Sequence, residues 1–114
     1  MAHDVTVTDP AVHPVGTVTQ VLGAIHDPVR LEVVRRLYNA GTAVQCVALY
    51  DGINKSTATH HFKVLREAGV IERVVHDGLT YQRLRRAEVD AALPGLLDSV
   101  VTGANRDAEG RHAR

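Results

Sequence analysis

The spacing of apolar residues changes from that of a helix to that of a strand at Gly69, and this change constrains the fold most. Residues 54–68 carry apolar side chains at helical spacing. Residues 70–84, VIERVVHDGLTYQRL, place Asp-Gly between two runs rich in β-branched and aromatic residues. Asp-Gly favours a two-residue hairpin loop, since a type I′ turn needs positive φ at both central residues. Such a loop would pair Glu72 with Arg83, so we expect a helix followed at once by a β-hairpin.

Three helical patterns precede the helix at residues 54–68. Residues 17–25 have apolar residues at helical spacing. A second helix is expected to begin at Asp27-Pro28, because Asp is a good N-cap and Pro suits the first helical position. Residues 43–50 predict a short third helix. Two helices joined by a short turn, the second with a polar outer side, form a helix-turn-helix.

The regions outside this pattern complete the domain plan. Residues 86–101 return to helical spacing, and Pro94 is expected to kink or split that helix. Residues 1–16 are interpreted as an N-terminal arm, and the polar residues 102–114 as a disordered tail. The predicted fold is mainly α with a β-hairpin wing, a winged helix-turn-helix domain at residues 17–101.

The composition is typical of one globular domain without a membrane segment. The chain has 114 residues, 45% of them hydrophobic, which suffices for a single core. No apolar run approaches the roughly 20 residues that span a bilayer, and no signal peptide is visible at the N-terminus. Cys46 is the only cysteine, which excludes a disulfide within the chain. We therefore expect a soluble, cytoplasmic protein.

The charges are unevenly distributed although the formal net charge is zero. Residues 54–86 contain seven Lys or Arg and three acidic residues, whereas acidic residues outnumber basic ones on either side. A neutral chain with one basic third can present a cationic face to a nucleic acid. Charge alone leaves an ordinary solvated face open as the alternative.

Three stretches together resemble the ArsR/SmtB family of bacterial transcription regulators. AIHDPVRLEVVRRL resembles the family's Asp-Pro-x-Arg-Leu entry into its second helix, and INKSTATHHFKVLREAGVI resembles its recognition helix. HDGLTYQRL resembles its wing. The match covers residues 17–101 and is most specific from Leu65 to Gly69 and on into the wing. The resemblance implies a winged helix that binds double-stranded operator DNA as a homodimer.

The polar side of the helix at residues 54–68 carries the first predicted DNA contacts. A recognition helix lies in the major groove with its N-terminal half near base edges, where short polar side chains and lysines reach bases or phosphates. The predicted contacts are Lys55, Ser56, Thr57, Thr59, His60 and Lys63. His61 borders the apolar side and is interpreted as a buried, hydrogen-bonded histidine. Phe62 and Leu65 are interpreted as core residues.

The wing supplies the second set of predicted contacts. The resemblance implies contact with the minor groove or the DNA backbone near His76, Gly78 and Thr80. Arg73 and Arg83 are interpreted either as phosphate contacts or as strand-pairing residues, and both readings stay open at this point.

The resemblance also implies dimerisation through the first and last helices. Both helices carry apolar stripes, which suit a partner or an ordinary core, or both, since one edge of a stripe can face the core and the other a partner. The predicted dimer residues are Val18, Val21, Leu22, Val89, Leu93, Leu96, Leu97 and Val100.

Many members of that family sense metals or redox state, but their ligand positions are mostly changed in this chain. The family's thiolate positions fall on Ala43 and Gln45, and Cys46 stands alone one residue later. One thiol cannot build a tetrahedral multi-thiolate site, so Cys46 is interpreted as a small buried residue. The family's zinc-type positions hold Arg86, Glu88, Ser99 and Thr102. Only the glutamate among these could bind a metal.

One candidate metal site lies in the N-terminal arm. His3, Asp4 and His13 offer imidazole nitrogens and a carboxylate, to which loss of Met1 would add a free amine. Such ligands suit Ni(II) or Co(II), and some nickel-sensing relatives use their N-terminus in a similar way. A metal-independent regulator is the alternative, since two histidines in an arm often bind nothing.

Two other functional classes compete with a DNA-binding regulator. A winged helix used for contact with another protein would need an apolar outer side on the helix at residues 54–68, and the polar residues there argue against it. An enzyme would need a nucleophile–base constellation or a metal triad, and the sequence offers neither. We therefore expect a transcriptional regulator and not an enzyme.

Overall fold

The computed structural model describes residues 7–8 and 12–112, without the side chains of the first pair and of His112. The strands are β1 (Val7–Thr8), β2 (Val44–Gln45), β3 (Ile71–His76) and β4 (Leu79–Leu84). The helices are α1 (Val18–Ile25), α2 (Pro28–Ala40), α3 (Lys55–Glu67), α4 (Arg86–Ala92) and α5 (Leu96–His112), with a 3₁₀ helix at Cys46–Ala48. The described residues therefore form a mainly helical domain with one antiparallel sheet.

Capping side chains start the first two helices, and a glycine ends the second. Thr17 caps α1 in a capping box with Gln20. The carboxylate of Asp27 accepts from two backbone N–H groups at the start of α2, as the sequence predicts. Gly41 ends α2 in the left-handed conformation, with φ at 69°.

The short third helix predicted at residues 43–50 is wrong. This segment forms β2 and then the 3₁₀ helix. Val44 pairs with Gln82 and Gln45 pairs with Tyr81, so β2 lies against β4. Backbone hydrogen bonds to β4 replace the hydrogen bonds of a helix in this segment. The local sequence does not reveal that β4 lies within reach.

α3 has the boundaries that its sequence predicts. The side chain of Asn54 accepts from the backbone N–H of Thr57 at 2.8 Å and so caps the helix. Gly69, with φ at 78°, follows its last turn. Ala58, Phe62 and Leu65 are buried on the inner side. These contacts fix which side of α3 faces solvent.

The hairpin of β3 and β4 forms at the predicted turn. Asp77 and Gly78 both have positive φ, at 50° and 75°, as a type I′ turn requires. Glu72 lies opposite Arg83, and their charged atoms are 2.6 Å apart. The hairpin forms the centre of a four-stranded sheet with the order β1-β3-β4-β2.

The N-terminal arm contributes a strand that the sequence did not predict. Val7 pairs with Val75 and Thr8 with Val74, which places β1 on the outer edge of β3. Further along, the backbone N–H of Gly16 donates to a carbonyl at the end of α3. The edge of β3 offers unpaired backbone groups to any extended segment within reach, so even two residues are held there.

The C-terminal region confirms one prediction and contradicts another. Pro94 lies between α4 and α5 and splits the helix at residues 86–101, as expected. The disorder predicted at residues 102–114 is wrong for residues 102–112, because α5 continues to His112. Ala104 is buried, and Asn105 exchanges amide hydrogen bonds with Asn39 of α2. Packing against α2 therefore orders a segment whose polar composition suggested disorder.

The core lies between the helices and one face of the sheet. It joins residues from α1, α2, α3, β3, α4 and α5 into one cluster. Its fully buried members include Val21, Leu37, Leu49, Leu65, Val89 and Leu97. Aliphatic side chains dominate the core, so shape fit among Val and Leu determines how the helices pack.

Candidate nucleic-acid interface

Burial of the inner side of α3 leaves its predicted DNA contacts exposed. Ala58, Phe62 and Leu65 anchor the helix, and rotation about its axis would expose their apolar surface. All six predicted contacts on α3 are exposed: Lys55, Ser56, Thr57, Thr59, His60 and Lys63. One of them is partly engaged, because the hydroxyl of Thr59 donates to the backbone carbonyl of Lys55.

His61 connects α3 to the start of α2. Its side chain is largely buried, and its Nδ1 lies 3.1 Å from Nη1 of Arg30 and 3.8 Å from the carboxylate of Asp27. Burial opposes ionisation of Asp27, but the backbone N–H and the charge of Arg30 hold the pKa of this carboxyl below its ordinary value. The interpretation of His61 as a buried, hydrogen-bonded histidine is confirmed.

The two arginines of the wing have different roles. Arg83 is committed to Glu72, with its Nε donating to the carboxylate at 2.7 Å. Arg73 is exposed, and no carboxylate lies within 4.0 Å of it among the described residues. Gly78 and Thr80 are exposed at the tip. The structure therefore makes Arg83 a strand-pairing residue and leaves Arg73 available to a ligand.

His76 is the one predicted DNA contact that is half-buried. Its Nε2 lies 3.4 Å from the carboxylate of Asp77, and its ring meets Tyr81 edge to face. Contacts within the wing thus occupy part of this side chain.

A groove with a volume of about 430 Å³ separates α3 from the wing, and we call it the helix–wing groove. Five predicted DNA contacts line it: Lys55, Thr59, Arg73, Gly78 and Thr80. The structure therefore brings part of the helix set and part of the wing set to one surface.

Arg66 also lines this groove and was missed by the sequence analysis. It follows Thr59 by seven residues and Lys55 by eleven, so helical spacing places all three on one side of α3. Lys55 and Thr59 were predicted as DNA contacts, whereas Arg66, further along the same side, was not.

The predicted dimer residues divide by burial. Val21, Val89 and Leu97 are completely buried in their own chain, so their alternative interpretation as ordinary core is the correct one. Leu93, Leu96 and Val100 are half-buried. Val18 and Leu22 on α1 are 49% and 45% exposed. These last two leave an apolar patch that the described part of the chain does not cover.

The candidate sensor residues are not brought together. His3 and Asp4 lie outside the described residues, and the exposed His13 contributes only its backbone carbonyl, which accepts from Arg85. Cys46 is half-buried, and its Sγ lies 3.5 Å from Nε2 of Gln82. Among residues 12–111, no three His, Cys, Asp or Glu side chains are grouped as a metal site.

No helix within residues 12–112 is long and apolar enough to cross a bilayer.

Two comparisons with known proteins agree with this geometry. Residues 25–74 match a family model described as a helix-turn-helix domain, which covers α2, α3 and most of β3. The chain is also 35% identical over 83 residues to the uncharacterized HTH-type transcriptional regulator YceK of Bacillus subtilis (strain 168). That alignment covers 71% of this chain and 83% of the relative. The chain therefore belongs to the helix-turn-helix transcriptional regulators.

Proposed function

We propose that this regulator is a winged helix of the ArsR/SmtB type that controls a promoter by binding its operator as a homodimer. The observation that carries the proposal is the exposed polar side of α3 beside a wing whose Arg73 has no acidic partner among the described residues. Together they form a cationic surface of helix and hairpin, which suits the major groove and the backbone flanking it.

In this arrangement α3 contacts the bases and the wing contacts the DNA backbone. Ser56, His60 and Lys63 project from the outward side of α3, where they donate to base edges or phosphates in the major groove. Gly78 and Thr80 lie at the tip of the wing and reach the adjacent backbone or minor groove. The contact of His61 with Arg30 and the burial of Phe62 hold the reading helix against the core, so little ordering is needed on binding.

Dimerisation would place two reading helices on one face of the duplex. Half-sites about 34–36 Å apart suit such a pair. The exposed Val18 and Leu22 on α1 and the half-buried Leu96 and Val100 on α5 supply apolar surface for the contact. Burying this surface between two copies removes it from water.

Fluorescence anisotropy with a labelled duplex from the gene's own upstream region tests operator binding. The full chain is titrated at one fixed salt concentration, with a scrambled duplex of equal length as control. We expect binding at least about 1,000-fold tighter to the upstream duplex than to the control, as for other specific regulators. Equal affinity for both, repeated with duplexes selected from a genomic pool, would contradict sequence-specific recognition.

We further propose that the regulator responds to Ni(II) or Co(II) through the N-terminal residues His3, Asp4 and His13, with a metal-independent regulator as the alternative. Chelator-treated protein is titrated with Ni(II), Co(II) and Zn(II) in the same assay. A Ni(II)- or Co(II)-dependent change that disappears on deletion of residues 1–13 would support the metal-responsive version. DNA binding that is indifferent to all three metals would support the metal-independent version.

A further inference from the structure

The helix–wing groove lies beside the outward side of α3, not on it. At about 100° per residue, Lys55, Thr59 and Arg66 fall within a sector of about 40°. Ser56, His60 and Lys63 lie about 90° further round the helix and do not line the groove. A duplex that meets the outward side therefore passes along the rim of the groove.

The groove is cationic. Lys55, Arg66 and Arg73 line it, and no acidic residue does. Among the described residues, no carboxylate lies within 4.0 Å of these three side chains. Guanidinium groups form their strongest hydrogen bonds with carboxylate, sulfonate or phosphate groups, so the charge selects an anion.

The walls of the groove are apolar. Phe62 is only 4% exposed, and its ring meets Tyr50 edge to face with the centroids 6.1 Å apart. Val47 and Leu79 also line the groove, and they are 70% and 49% exposed. Exposed aliphatic side chains around a concave surface are typical of a binding site.

Backbone phosphates alone match the charge but not the walls. A phosphodiester offers no apolar surface to Val47 or Leu79, whereas an apolar ligand would be stabilised by burying these exposed side chains. A volume of about 430 Å³ is within the range of small-molecule sites. The occupant that fits both features is a small molecule with an anionic group and an aromatic or branched aliphatic body.

We propose that the helix–wing groove binds a small apolar organic anion, and that its occupation competes with DNA. The anionic group is held by Arg66 and Arg73, and the apolar body lies against Val47 and Leu79. Competition follows because Lys55 and Thr59 line the groove and are also predicted DNA contacts. This second half of the proposal rests on the proposed function, whereas anion binding does not.

Titration of the full chain with 8-anilinonaphthalene-1-sulfonate in the absence of DNA tests the site. This probe is an aromatic sulfonate that fluoresces strongly in apolar surroundings. We expect one bound probe per chain. Arg66→Gln removes the charge-assisted hydrogen bond and should raise the dissociation constant by about tenfold.

Matched variants separate this site from other surfaces. Lys63→Gln removes a cation from the outward side of the same helix and should leave probe binding unchanged. Leu22→Ser removes exposed apolar surface from α1 and should also leave it unchanged. Val47→Ser changes an exposed wall residue, keeps the charge and should weaken binding. Probe binding that ignores both Arg66→Gln and Val47→Ser, or that is lost with Leu22→Ser, would overturn the site.

Two further titrations decide the nature of the occupant and its effect. Inorganic phosphate should displace the probe only at concentrations far above that of an aromatic carboxylate such as salicylate. Equal displacement by phosphate would make the groove a phosphate contact and overturn the proposal. Addition of the upstream duplex should weaken probe binding, and simultaneous binding of both would overturn the competition. A chain that binds the probe as expected but no duplex would contradict the proposed function alone.

Discussion

At the scale of single residues, the side chains of α3 point in three directions, and each direction has a different role. Phe62 packs into the core, Lys63 projects outward, and Arg66 lines the helix–wing groove. Neighbours in sequence point in different directions because the helix turns by about 100° per residue. One cation can therefore be removed from α3 without altering the other surfaces.

Replacement of Lys63 by Ala should weaken DNA binding and lower its salt dependence. Each phosphate contact contributes about 0.9 to the slope of log affinity against log salt, so loss of two copies in a dimer lowers it by about 2. Anisotropy titrations over a series of salt concentrations measure this slope. Arg106→Ala, which removes an exposed cation on α5, is the control and should leave the slope unchanged. An unchanged slope with Lys63→Ala would remove this side chain from the phosphate contacts.

Glu32 should contribute to stability at neutral pH and lose this contribution in acid. Hydrogen bonds from the Arg35 guanidinium, aided by Arg36 and opposed by burial, lower the pKa of Glu32 to about 2. Since the folded pKa lies below the unfolded value, the contribution is complete above about pH 4.5 and disappears as pH falls toward 2. Solvent screening limits it to about 1–2 kcal/mol.

Urea unfolding of Glu32→Gln between pH 7 and pH 2 measures this contribution. The variant should be less stable than the parent at pH 7, and the difference should shrink as the pH falls. Glu109→Gln changes an exposed carboxylate on α5 and serves as the control. A stability difference that stays constant with pH would mean that the carboxylate charge is not the cause.

The sequence predicted most of these residues because local periodicity assigns the side of a helix. His61 was interpreted correctly from its position at the edge of the apolar side. Arg66 was missed because its place in the groove depends on the wing on the opposite side. Only the folded chain brings the wing close to Arg66.

At the scale of elements, the segment after α3 is fixed by a glycine and by a close approach of the chain. Gly69 has φ at 78°, and a Cβ there would lie 2.6 Å from the Cα of Val15. The sequence predicted the helix end from this glycine. It did not reveal that residues 14–16 pack against it, because that approach joins two distant parts of the chain.

Gly69→Ala should destabilise the fold by more than about 3 kcal/mol, because backbone strain and a clash with backbone atoms add together. Gly52→Ala is a matched control, since Gly52 has φ at 73° but no atom within 4 Å of its Cβ position. That variant should lose only about 1–2 kcal/mol through strain. Chemical denaturation of both variants measures the difference. Equal losses would mean that the chain near Val15 moves aside readily.

The two wrongly predicted elements share one cause. Residues 44–45 become strand because β4 offers ladder partners, and residues 102–112 stay helical because α5 packs on α2. Asn105, for example, exchanges amide hydrogen bonds with Asn39 at 2.9 and 3.1 Å. Propensity is a weak prior for short or polar segments, and tertiary partners decide their state.

At the scale of the whole molecule, the exposed apolar patch on α1 is where a second copy is expected. Val18 and Leu22 are about half exposed, although the same helix buries Val21 completely. Contact between two copies at this patch would remove both side chains from water. The patch lies on the helix that the sequence resemblance assigned to dimerisation.

Leu22→Glu should convert the dimer to a monomer and leave the fold intact. Two copies each lose apolar burial of about 1.5–3 kcal/mol, so the dissociation constant of the dimer should rise by at least about 100-fold. Sedimentation equilibrium measures the change. Thr19→Glu adds the same charge at another exposed position of α1 and is the control. A monomeric parent protein would contradict the proposed homodimer, and a Leu22→Glu variant that remains dimeric would place the interface elsewhere.

The sequence by itself determined the boundaries and turns that depend on interactions between residues close together in the chain. Asn54 and Gly69 bound α3, Asp77-Gly78 makes the turn of the hairpin, and Pro94 separates the last two helices. Caps, positive φ and the missing proline N–H act within a few residues, so they can be recognised without a fold. The tertiary structure alone decided which apolar residues are core, that α5 extends to His112, and that helix and wing enclose a cationic groove. Those outcomes depend on contacts between residues far apart in the chain, and their energies exist only once the chain is packed.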